Sequence, residues 1–423
     1  MSASSNERLR RVKRLALAGE PGTLPALTDA LNDSSISVQI EAVKGLGGLQ
    51  TEDVVPTLLE YLRGCDLAAV EDVAQALADS GLREAPADLL DLLSHPDHTR
   101  RYAAAICLGA VGDRGALEDL VRTARDRTGM VRRAACRALG ELEDRRAAPT
   151  LTLATEDRDP LVRREAARGL GKMNAGGKAL RRLARDPNWK VREESLRALP
   201  SVVGEEATPV LEEALGDVEA QVREAACELL ADLGEVQPVI EVLANDLLPE
   251  VRRRAAQALG RSGDARADYP LLASLAREGF ELRAFVLAAL RSVMGTRLER
   301  FLVNALGAPE ARIRRAATNA LADLGARRYI PEIVLLLDDP DSEVRFAAVY
   351  TLGELRASEG LLTLRRLLVQ EDTHAGLRSA AAHAISKIPE GGEVLERAAR
   401  HHSPTVREEA LAALASREQS DED

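Results

Sequence analysis

The sequence predicts an all-α protein, an α-α superhelix built from stacked pairs of helices. A skeleton of Val-Arg, two small residues and Ala-Leu-Gly, clearest in residues 130–142, returns along the chain at spacings of 29, 31 or 33 residues. A fixed period of this size is typical of repeat proteins. Hydrophobic residues make up 45% of the chain but aromatic residues only 2%, as expected where Ala, Leu and Val fill closely stacked helices. No segment shows the alternation of apolar and polar residues that indicates a strand.

The array is predicted to occupy residues 6–415 as a single solenoid. The polar residues 1–5 and the acidic residues 416–423 are predicted to be disordered, because they have too few apolar side chains to bury. Residues 6–18 form a first helix that has no partner before it, so it is a half-repeat. About 13 two-helix repeats follow.

Each repeat is predicted to contain a short helix A and a longer helix B. Helix A often has Pro in its first turn, as at Pro25, Pro149 and Pro331, where the missing N–H is not needed. Helix B is numbered here from its anchor, the residue before the repeated Arg. The anchors are Leu9, Val38, Ala69, Arg100, Val131, Val162, Val191, Val222, Val251, Leu282, Ile313, Val344, Leu377 and Val406. Gly frequently occupies anchor position +9, which indicates either close packing or a turn toward the next helix A.

A second repeated element joins the loop before helix B to its first turn. Arg stands at position +1, and Asp stands six residues before that Arg. Repetition of an acid and a base at matching places predicts a ladder of charge-assisted hydrogen bonds between loops. In the first helix this Arg is predicted to be Arg10. The ladder is predicted for Asp126, Arg132, Asp157, Arg163, Asp186, Arg192, Asp217, Arg223, Asp246, Arg252, Asp339 and Arg345.

The consensus L-x-x-L-L-x-D-x-x-x-x-V-R-x-x-A-x-x-A-L-G resembles the HEAT repeat, in the short form named after phycobilisome lyases. The resemblance covers residues 6–415 and is clearest in 120–142, 151–173 and 333–355. It implies an armadillo-type α-solenoid with B helices lining a concave face.

Departures from the consensus concentrate at two places. Gln39 and Val70 replace the ladder Arg near the N-terminus, and Arg277 and Ala308 replace the ladder Asp further on. We therefore expect looser stacking, or a change of curvature, in an irregular repeat near residues 275–310.

Catalytic chemistry has no candidate residues in this sequence. Deoxyhypusine hydroxylase resembles this fold but binds iron through His-Glu pairs, and the chain contains no His-Glu dipeptide. No set of residues supports phycobilin lyase chemistry, and a single Trp is thin support for a DNA glycosylase. Paired histidines, as at His401 and His402, supply two ligands where a metal site needs three or four. The sequence therefore predicts no enzyme activity, no metal and no cofactor.

The cysteines and the N-terminus indicate where the protein resides. Cys136 and Cys227 share a repeat position that is otherwise filled by small apolar residues, so they are predicted to be buried thiols in a reducing compartment. The N-terminus has no apolar signal segment, and no run approaches 18 apolar residues. We predict a cytoplasmic protein without a membrane contact or a small-molecule substrate.

Charge is distributed unevenly, and this is the clearest functional indication. Residues 1–121 carry a net charge of −8, residues 122–200 of +9 and residues 201–423 of −12. Within this basic belt (122–200), Arg occupies the outward positions +2 and +6 of three B helices: Arg133, Arg137, Arg164, Arg168 and Arg197. One interpretation is a site for an acidic protein segment or a nucleic acid. The other is a solvated face neutralised by Glu141, Glu165, Glu193 and Glu194.

Aromatic residues cluster in a second region. Seven of the ten lie between residues 269 and 350. Phe346 and Tyr350 take positions +2 and +6 of one helix, and Arg315 and Asn319 take them one repeat earlier. Aromatic and Arg side chains together are typical of interface hot spots. Packing within the irregular repeat is the alternative.

The predicted function is a non-catalytic scaffold or adaptor that binds a protein partner along the solenoid. A nucleic-acid-binding protein that uses the basic belt is the alternative, although the net charge of −11 argues against it. A lyase or hydroxylase of the HEAT-like kind is a third interpretation without candidate residues.

Overall fold

The computed structural model describes residues 4–49, 51–275, 280–370 and 372–422. Helices A and B alternate throughout these ranges, which contain no strand. The B helices are α1 (Ser5–Ala18), α3 (Ile36–Gly47), α5 (Val70–Asp79), α7 (His98–Val111), α9 (Gly129–Leu142), α11 (Pro160–Lys172), α13 (Trp189–Val203), α15 (Ala220–Asp232), α17 (Pro249–Ser262), α19 (Phe280–Met294), α21 (Ala311–Asp323), α23 (Ser342–Glu354), α25 (Ala375–Lys387) and α27 (Pro404–Glu422).

The A helices are shorter, and a 3-10 turn often precedes them, as at Arg114–Ala116 and Arg145–Ala147. They are α2 (Leu24–Ala30), α4 (Val54–Leu62), α6 (Ala87–Leu92), α8 (Leu117–Thr123), α10 (Ala148–Ala154), α12 (Gly177–Leu183), α14 (Thr208–Ala214), α16 (Val236–Asn245), α18 (Asp268–Leu275), α20 (Leu298–Ala305), α22 (Ile330–Leu335), α24 (Leu361–Val369) and α26 (Gly391–Ala398). The predicted all-α solenoid architecture is confirmed.

The chain forms two compact units, Met1–Leu229 and Leu230–Asp423, where the sequence predicts one array. In the first unit, successive B helices from α1 to α13 pack on one another, and A helices pack on the B helices that follow them. In the second unit, α17 packs on α19, and α21, α23, α25 and α27 form a consecutive stack.

Position +5 of helix B lies on the side of the helix that is buried within the stack. It is at most 2% exposed in eleven helices, where it is Val43, Ala74, Ala105, Cys136, Ala167, Leu196, Cys227, Ala256, Thr318, Val349 and Ala382. In α27, the last B helix of the described ranges, Leu411 at the same position is 56% exposed. Within each unit, position +5 is therefore the residue that the following B helix covers. The burial predicted for Cys136 and Cys227 is confirmed.

The glycines at position +9 lie within helices and allow two B helices to approach closely. A Cβ on Gly109 would lie 2.8 Å from Cα of Ala138, and a Cβ on Gly140 would lie 2.9 Å from Cα of Gly169. Gly260 and Ala289 repeat this contact between α17 and α19 at 2.7 Å. In each case +9 of one helix meets +7 of the next. Close packing, rather than a turn, explains these glycines.

The first helix differs from the prediction in its start and in its register. It begins at Ser5, and the Ser4 hydroxyl accepts from the Glu7 amide in a capping box, so residues 4 and 5 are ordered; residues 1–3 lie outside the described range. Arg8, rather than the predicted Arg10, bonds Asp33. The anchor of α1 is therefore residue 7 and not Leu9, because the pattern of alternating Arg residues fits either register.

The C-terminal residues also differ from the prediction. Helix α27 continues to Glu422, although residues 416–423 were expected to be disordered. Arg417 explains its continuation past residue 415, because its guanidinium donates to the carbonyl oxygens of Ile388 and Pro389, both at 2.7 Å. These bonds attach the end of α27 to the preceding repeat.

The region predicted to be irregular has a different ion pair from the other repeats. Ala308 stands where a ladder Asp would, and Arg283 of α19 instead bonds Asp323 near the end of α21 at 2.8 Å. Helix α21 packs against α18 as well as against its own partner α20. Arg277 lies outside the described residues.

Candidate partner-binding surfaces

The Asp and Arg residues of the predicted ladder connect consecutive A–B loops. Nε and Nη2 of Arg132 donate to both carboxylate oxygens of Asp157 at 2.7 and 2.8 Å, while Nη1 donates to the backbone oxygen of Asp126 at 2.9 Å. One guanidinium therefore holds its own loop and the next one. The same carboxylate contact joins Arg8 to Asp33, Arg101 to Asp126, Arg163 to Asp186, Arg192 to Asp217 and Arg314 to Asp339.

Each ladder Asp also closes a turn of its own loop. Oδ1 of Asp157 accepts from the Asp159 amide at 2.8 Å, and Asp246 accepts from the Leu248 amide at 2.9 Å. Short Asp side chains favour such turns. The remaining predicted Arg residues keep the bond to their own loop: Arg223 to the Asp217 carbonyl, Arg252 to Asp246 and Arg345 to Asp339.

These contacts shift the acid–base equilibria of both partners. Burial alone would raise the pKa of Asp157, but hydrogen bonds from Arg132 and from the Asp159 amide outweigh it, so the pKa is lowered. The hydrogen bond to Asp157 raises the pKa of Arg132. The pKa of Asp339 is likewise lowered, chiefly by its hydrogen bond from Arg314. Asp157, Arg132 and Asp339 are therefore ionised at neutral pH.

Gln39 replaces the ladder Arg without losing the loop contact. Its Nε2 donates to the Asp33 carbonyl at 2.6 Å, and its Oε1 accepts from the Tyr61 hydroxyl at 2.8 Å. A phenol on α4 thus takes the place of the carboxylate. Burial raises the pKa of Tyr61 to about 12, so the hydroxyl remains a donor at neutral pH.

Four of the five predicted arginines of the basic belt are paired with carboxylates of other B helices. Arg164 and Arg168 both bond Glu194, at 3.1 and 2.9 Å. Arg197 contacts Glu193 at 3.1 Å and Glu228 at 3.6 Å. A hydrogen bond raises the pKa of Arg168.

Arg137 makes the longest-range pair on this surface. Its Nη1 lies 2.6 Å from Oε1 of Glu71, and the two residues stand on α9 and α5, on either side of α7. The bridge borders a groove of about 400 Å³ over α7, whose floor includes Ile106, Gly109 and Ala110. Arg137 therefore connects two repeats across a third.

Arg133 is half-buried and has no ion pair within the described part of the chain. It stands on α9 one turn before Arg137. Glu141 and Glu165, proposed to neutralise this face, contact Lys172 at 2.5 Å and Arg168 at 3.4 Å. The outward face of the belt is thus a network of paired charges that contains one unpaired guanidinium.

Three other basic side chains of the belt that have no ion pair among the described residues lie on loops or turns. Arg127 and Arg158 occupy the same place in successive A–B loops, are exposed, and have no side-chain ion pair among the described residues. The exposed Arg145 lies in a 3-10 turn and has none either. Much of the excess positive charge of the belt therefore lies on loops and turns next to the B helices.

The aromatic region contains separate contacts rather than one cluster. Tyr350 is 56% exposed, and Nζ of Lys387 lies 5.8 Å from its ring centroid. Phe346 is half-buried, and a Cβ added to Gly376 would lie 3.3 Å from Cζ of Phe346. Arg315 bonds Glu343 at 3.1 Å, and Asn319 is half-buried. Phe346 therefore packs on the start of α25, whereas the ring of Tyr350 is accessible.

Histidines and cysteines serve structural purposes where the structure describes them. Nδ1 of His95 accepts from the Asp97 amide, and Nδ1 of His401 accepts from the Ser403 amide. Burial raises the pKa of Cys136 to about 12, so its thiol stays protonated. No group of three or more potential metal ligands occurs in the described ranges.

Among the helices of the described ranges, none is both long enough and apolar enough to cross a membrane.

Comparisons with solved structures identify similar architectures. Importin β is 16% identical with a TM-score of 0.53 over 98% of this chain and 71% of its own. Kap121p bound to Nup53p is 16% identical with a TM-score of 0.50 over 97% and 49%. The CpcE–CpcF complex of phycocyanin lyase from Nostoc sp. PCC7120 is 26% identical over 57% and 95%, with a TM-score of 0.34. The importin β and Kap121p comparisons show the fold alone.

No curated protein matches the chain. The family model for HEAT repeats matches residues 2–78, 122–181, 152–231, 177–245, 215–291, 236–322, 299–386 and 330–415. These ranges cover most of the sequence and include all the ladder residues named above except Arg101. The resemblance inferred from the repeated residues is confirmed, and the chain belongs to the family of HEAT-repeat proteins.

Proposed function

We propose that this protein is a non-catalytic scaffold that binds a partner protein on the exposed surface of its B helices. The observation that carries the proposal is Arg133, which is unpaired beside a bridge between Arg137 and Glu71. A carboxylate of a partner can bind Arg133 directly and compete with Glu71 for Arg137. An apolar side chain beside it can enter the groove over α7. The partner segment would therefore be acidic and apolar.

The paired charges around Arg133 favour a protein partner over a nucleic acid. Glu71, Glu193 and Glu194 are held on the same surface, and they would repel phosphates while fixing the directions of the arginines. Preorganised charge pairs of this kind contribute specificity to a protein interface.

Arg133→Glu tests the proposal because it breaks no ion pair among the described residues. The wild-type protein and this variant are used to capture partners from nuclease-treated lysate of the source cells, and bound proteins are quantified by mass spectrometry. A partner depleted by Arg133→Glu but retained by the control Arg145→Glu, an exposed unpaired Arg in a turn, supports the proposal. Equal capture by all three proteins contradicts it.

The alternative, nucleic-acid binding, depends on the unpaired loop residues Arg127 and Arg158. A labelled 20-nucleotide strand should then bind with an affinity that falls steeply as salt increases, because counterions are released. Arg127→Glu combined with Arg158→Glu should reduce the salt slope. Absence of binding at low salt would exclude this alternative.

A further inference from the structure

Helix α19 is an interior B helix of the second unit. Among the described residues, its face that carries position +5 is only partly covered by other helices. Leu287, at position +5, is half-exposed, whereas this position is at most 2% exposed in eleven other B helices. Ala284 and Ala288 on the same side are exposed. With respect to this face, α19 resembles the last helix α27 rather than a helix inside a stack.

Two residues of the sequence explain why this face is uncovered. With α1 counted from residue 7, position +9 is Gly, Ala or Ser in all B helices but two. One of the two exceptions is α19, where position +9 is Arg291. A guanidinium cannot occupy a site where even a Cβ would clash with the next helix. Ala308 also removes the carboxylate that would otherwise hold Arg283 to the following loop.

The result is a groove of about 340 Å³ along α19. Ala284, Leu287 and Ala288 form its apolar floor, and Arg283, Arg291 and Asp323 border it. Arg291 is exposed and has no ion pair within the described part of the chain. Arg283 is 26% exposed, and Asp323, at 2.8 Å, is its ion-pair partner among the described residues.

We propose that this groove binds an acidic amphipathic helix of a partner protein. A regular neighbour of a B helix, such as α11 beside α9, presents a small residue at the close contact and a carboxylate for the Arg at +1. The groove lacks both, and it exposes two arginines eight residues apart, roughly 12 Å along the helix. A partner helix with apolar residues at i, i+3 or i+4, and i+7, flanked by Asp or Glu, matches the floor and both arginines.

The proposal rests on the proposed scaffold function but concerns a different surface. The net charge of the three bordering residues is positive, since Arg283 and Arg291 face one Asp323. A partner carboxylate would bind Arg291 without displacing any group and would share Arg283 with Asp323. An acidic helix is therefore favoured over a basic one.

The test is selection of a phage-displayed library of random 16-residue peptides on the full-length protein, followed by fluorescence anisotropy with the most enriched peptide as a labelled synthetic probe. The enriched sequences should share the apolar spacing and flanking acids. Arg283→Glu with Arg291→Glu should weaken binding about tenfold or more. The matched control is Arg300→Glu with Arg365→Glu, two exposed arginines of A helices without ion pairs in the described ranges; it should bind like the wild type.

Ala288→Trp keeps the test decisive if the double variant is misfolded. It fills the groove from an exposed position and leaves the pair between Arg283 and Asp323 intact, so it should also abolish peptide binding. Enriched peptides without acids, binding that Ala288→Trp leaves unchanged, or no enrichment at all would each overturn the proposal. A concentration-dependent dimer that Ala288→Trp dissociates would identify a second copy as the occupant and overturn it too.

The two proposals can fail separately. The selected peptide should bind Arg133→Glu with the affinity of the wild-type protein. Loss of the lysate partner in Arg133→Glu, together with no acidic peptide at α19, would leave the scaffold function standing and exclude only the second site.

Discussion

The guanidinium of Arg132 shows how a single residue fixes the position of two loops. It is 8% exposed and makes two bonds to Asp157 and one to the Asp126 carbonyl. A buried charge of this kind requires all its partners, because an unpaired buried ion is far less stable than a hydrated one. The ladder should therefore contribute to stability through the cost of breaking any one of its pairs.

Arg132→Ala should lower the free energy of unfolding by about 3–5 kcal/mol, since it leaves the Asp157 carboxylate largely buried without its main donor. Urea denaturation followed by circular dichroism measures the change. Arg146→Ala is the control, because Arg146 pairs with Asp144 while 67% exposed, and exposed pairs contribute about 0–1 kcal/mol. Similar losses in the two variants would contradict a specific role for the buried ladder.

The lowered pKa values of the ladder carboxylates predict loss of stability in acid. Hydrogen bonds from arginine lower the pKa of Asp157 and Asp339 from the ordinary value of 3.8. A group with a lower pKa in the folded state contributes stability above the unfolded pKa and loses it as pH falls through the folded pKa. The free energy of unfolding, measured by urea titration at a series of pH values, should therefore fall below about pH 4. Asp157→Asn should make this fall shallower, and an unchanged pH profile would contradict the assignment.

The B helix is the element that carries both the stacking and the exposed charges. Its periodicity assigns +5 to the covered side, +9 to the close contact and +2 and +6 to the surface. The structure places Gly109 against Ala138 and Gly140 against Gly169 at distances that leave no room for a Cβ. The distance between two successive B helices is thus limited by the residue at +9 of one helix and the residue at +7 of the next.

Gly109→Ala should lower the free energy of unfolding by about 1–3 kcal/mol, because its Cβ would lie 2.8 Å from the Ala138 backbone and the helices must separate. Gly64→Ala is the matched control, since nothing lies within 4 Å of its added Cβ. That variant should be neutral or slightly stabilising. Thermal unfolding of both proteins measures the difference, and a neutral Gly109→Ala would show that the stack tolerates a wider interval.

The repeat made most of these element positions predictable from the sequence. Small residues at +9 and the Asp–Arg spacing recur often enough to assign a helix face to each. The register of α1 was wrong because Arg8 and Arg10 both fit the pattern, and only the contact with Asp33 distinguishes them. Arg291 could have been noticed as a departure at +9, but the pairing of Arg283 with Asp323 could not, because it depends on where α21 lies.

At the scale of the whole molecule, the net charge of a segment is easily read from the sequence, but the structure shows which of those charges are paired. The net charge of +9 in residues 122–200 suggests a basic surface. In the structure, Glu71 and Glu228, which lie outside that range, pair with Arg137 and Arg197. Partners that are distant in sequence neutralise much of the belt, and linear charge counts cannot include them.

A repeat array also makes truncation a sharp test of the first unit. A fragment of residues 1–234 contains the unit Met1–Leu229 and ends beyond α15 at Gly234, where the backbone has a positive φ. It should be helical and unfold cooperatively, because each repeat contacts only its neighbours.

A fragment of residues 1–218 lacks α15, so it loses the contact between Arg197 and Glu228 and should expose Leu196. It should therefore unfold at lower urea concentration. Equal stability of the two fragments would mean that α15 does not cover α13, and an unfolded longer fragment would mean that the first unit depends on residues beyond 234.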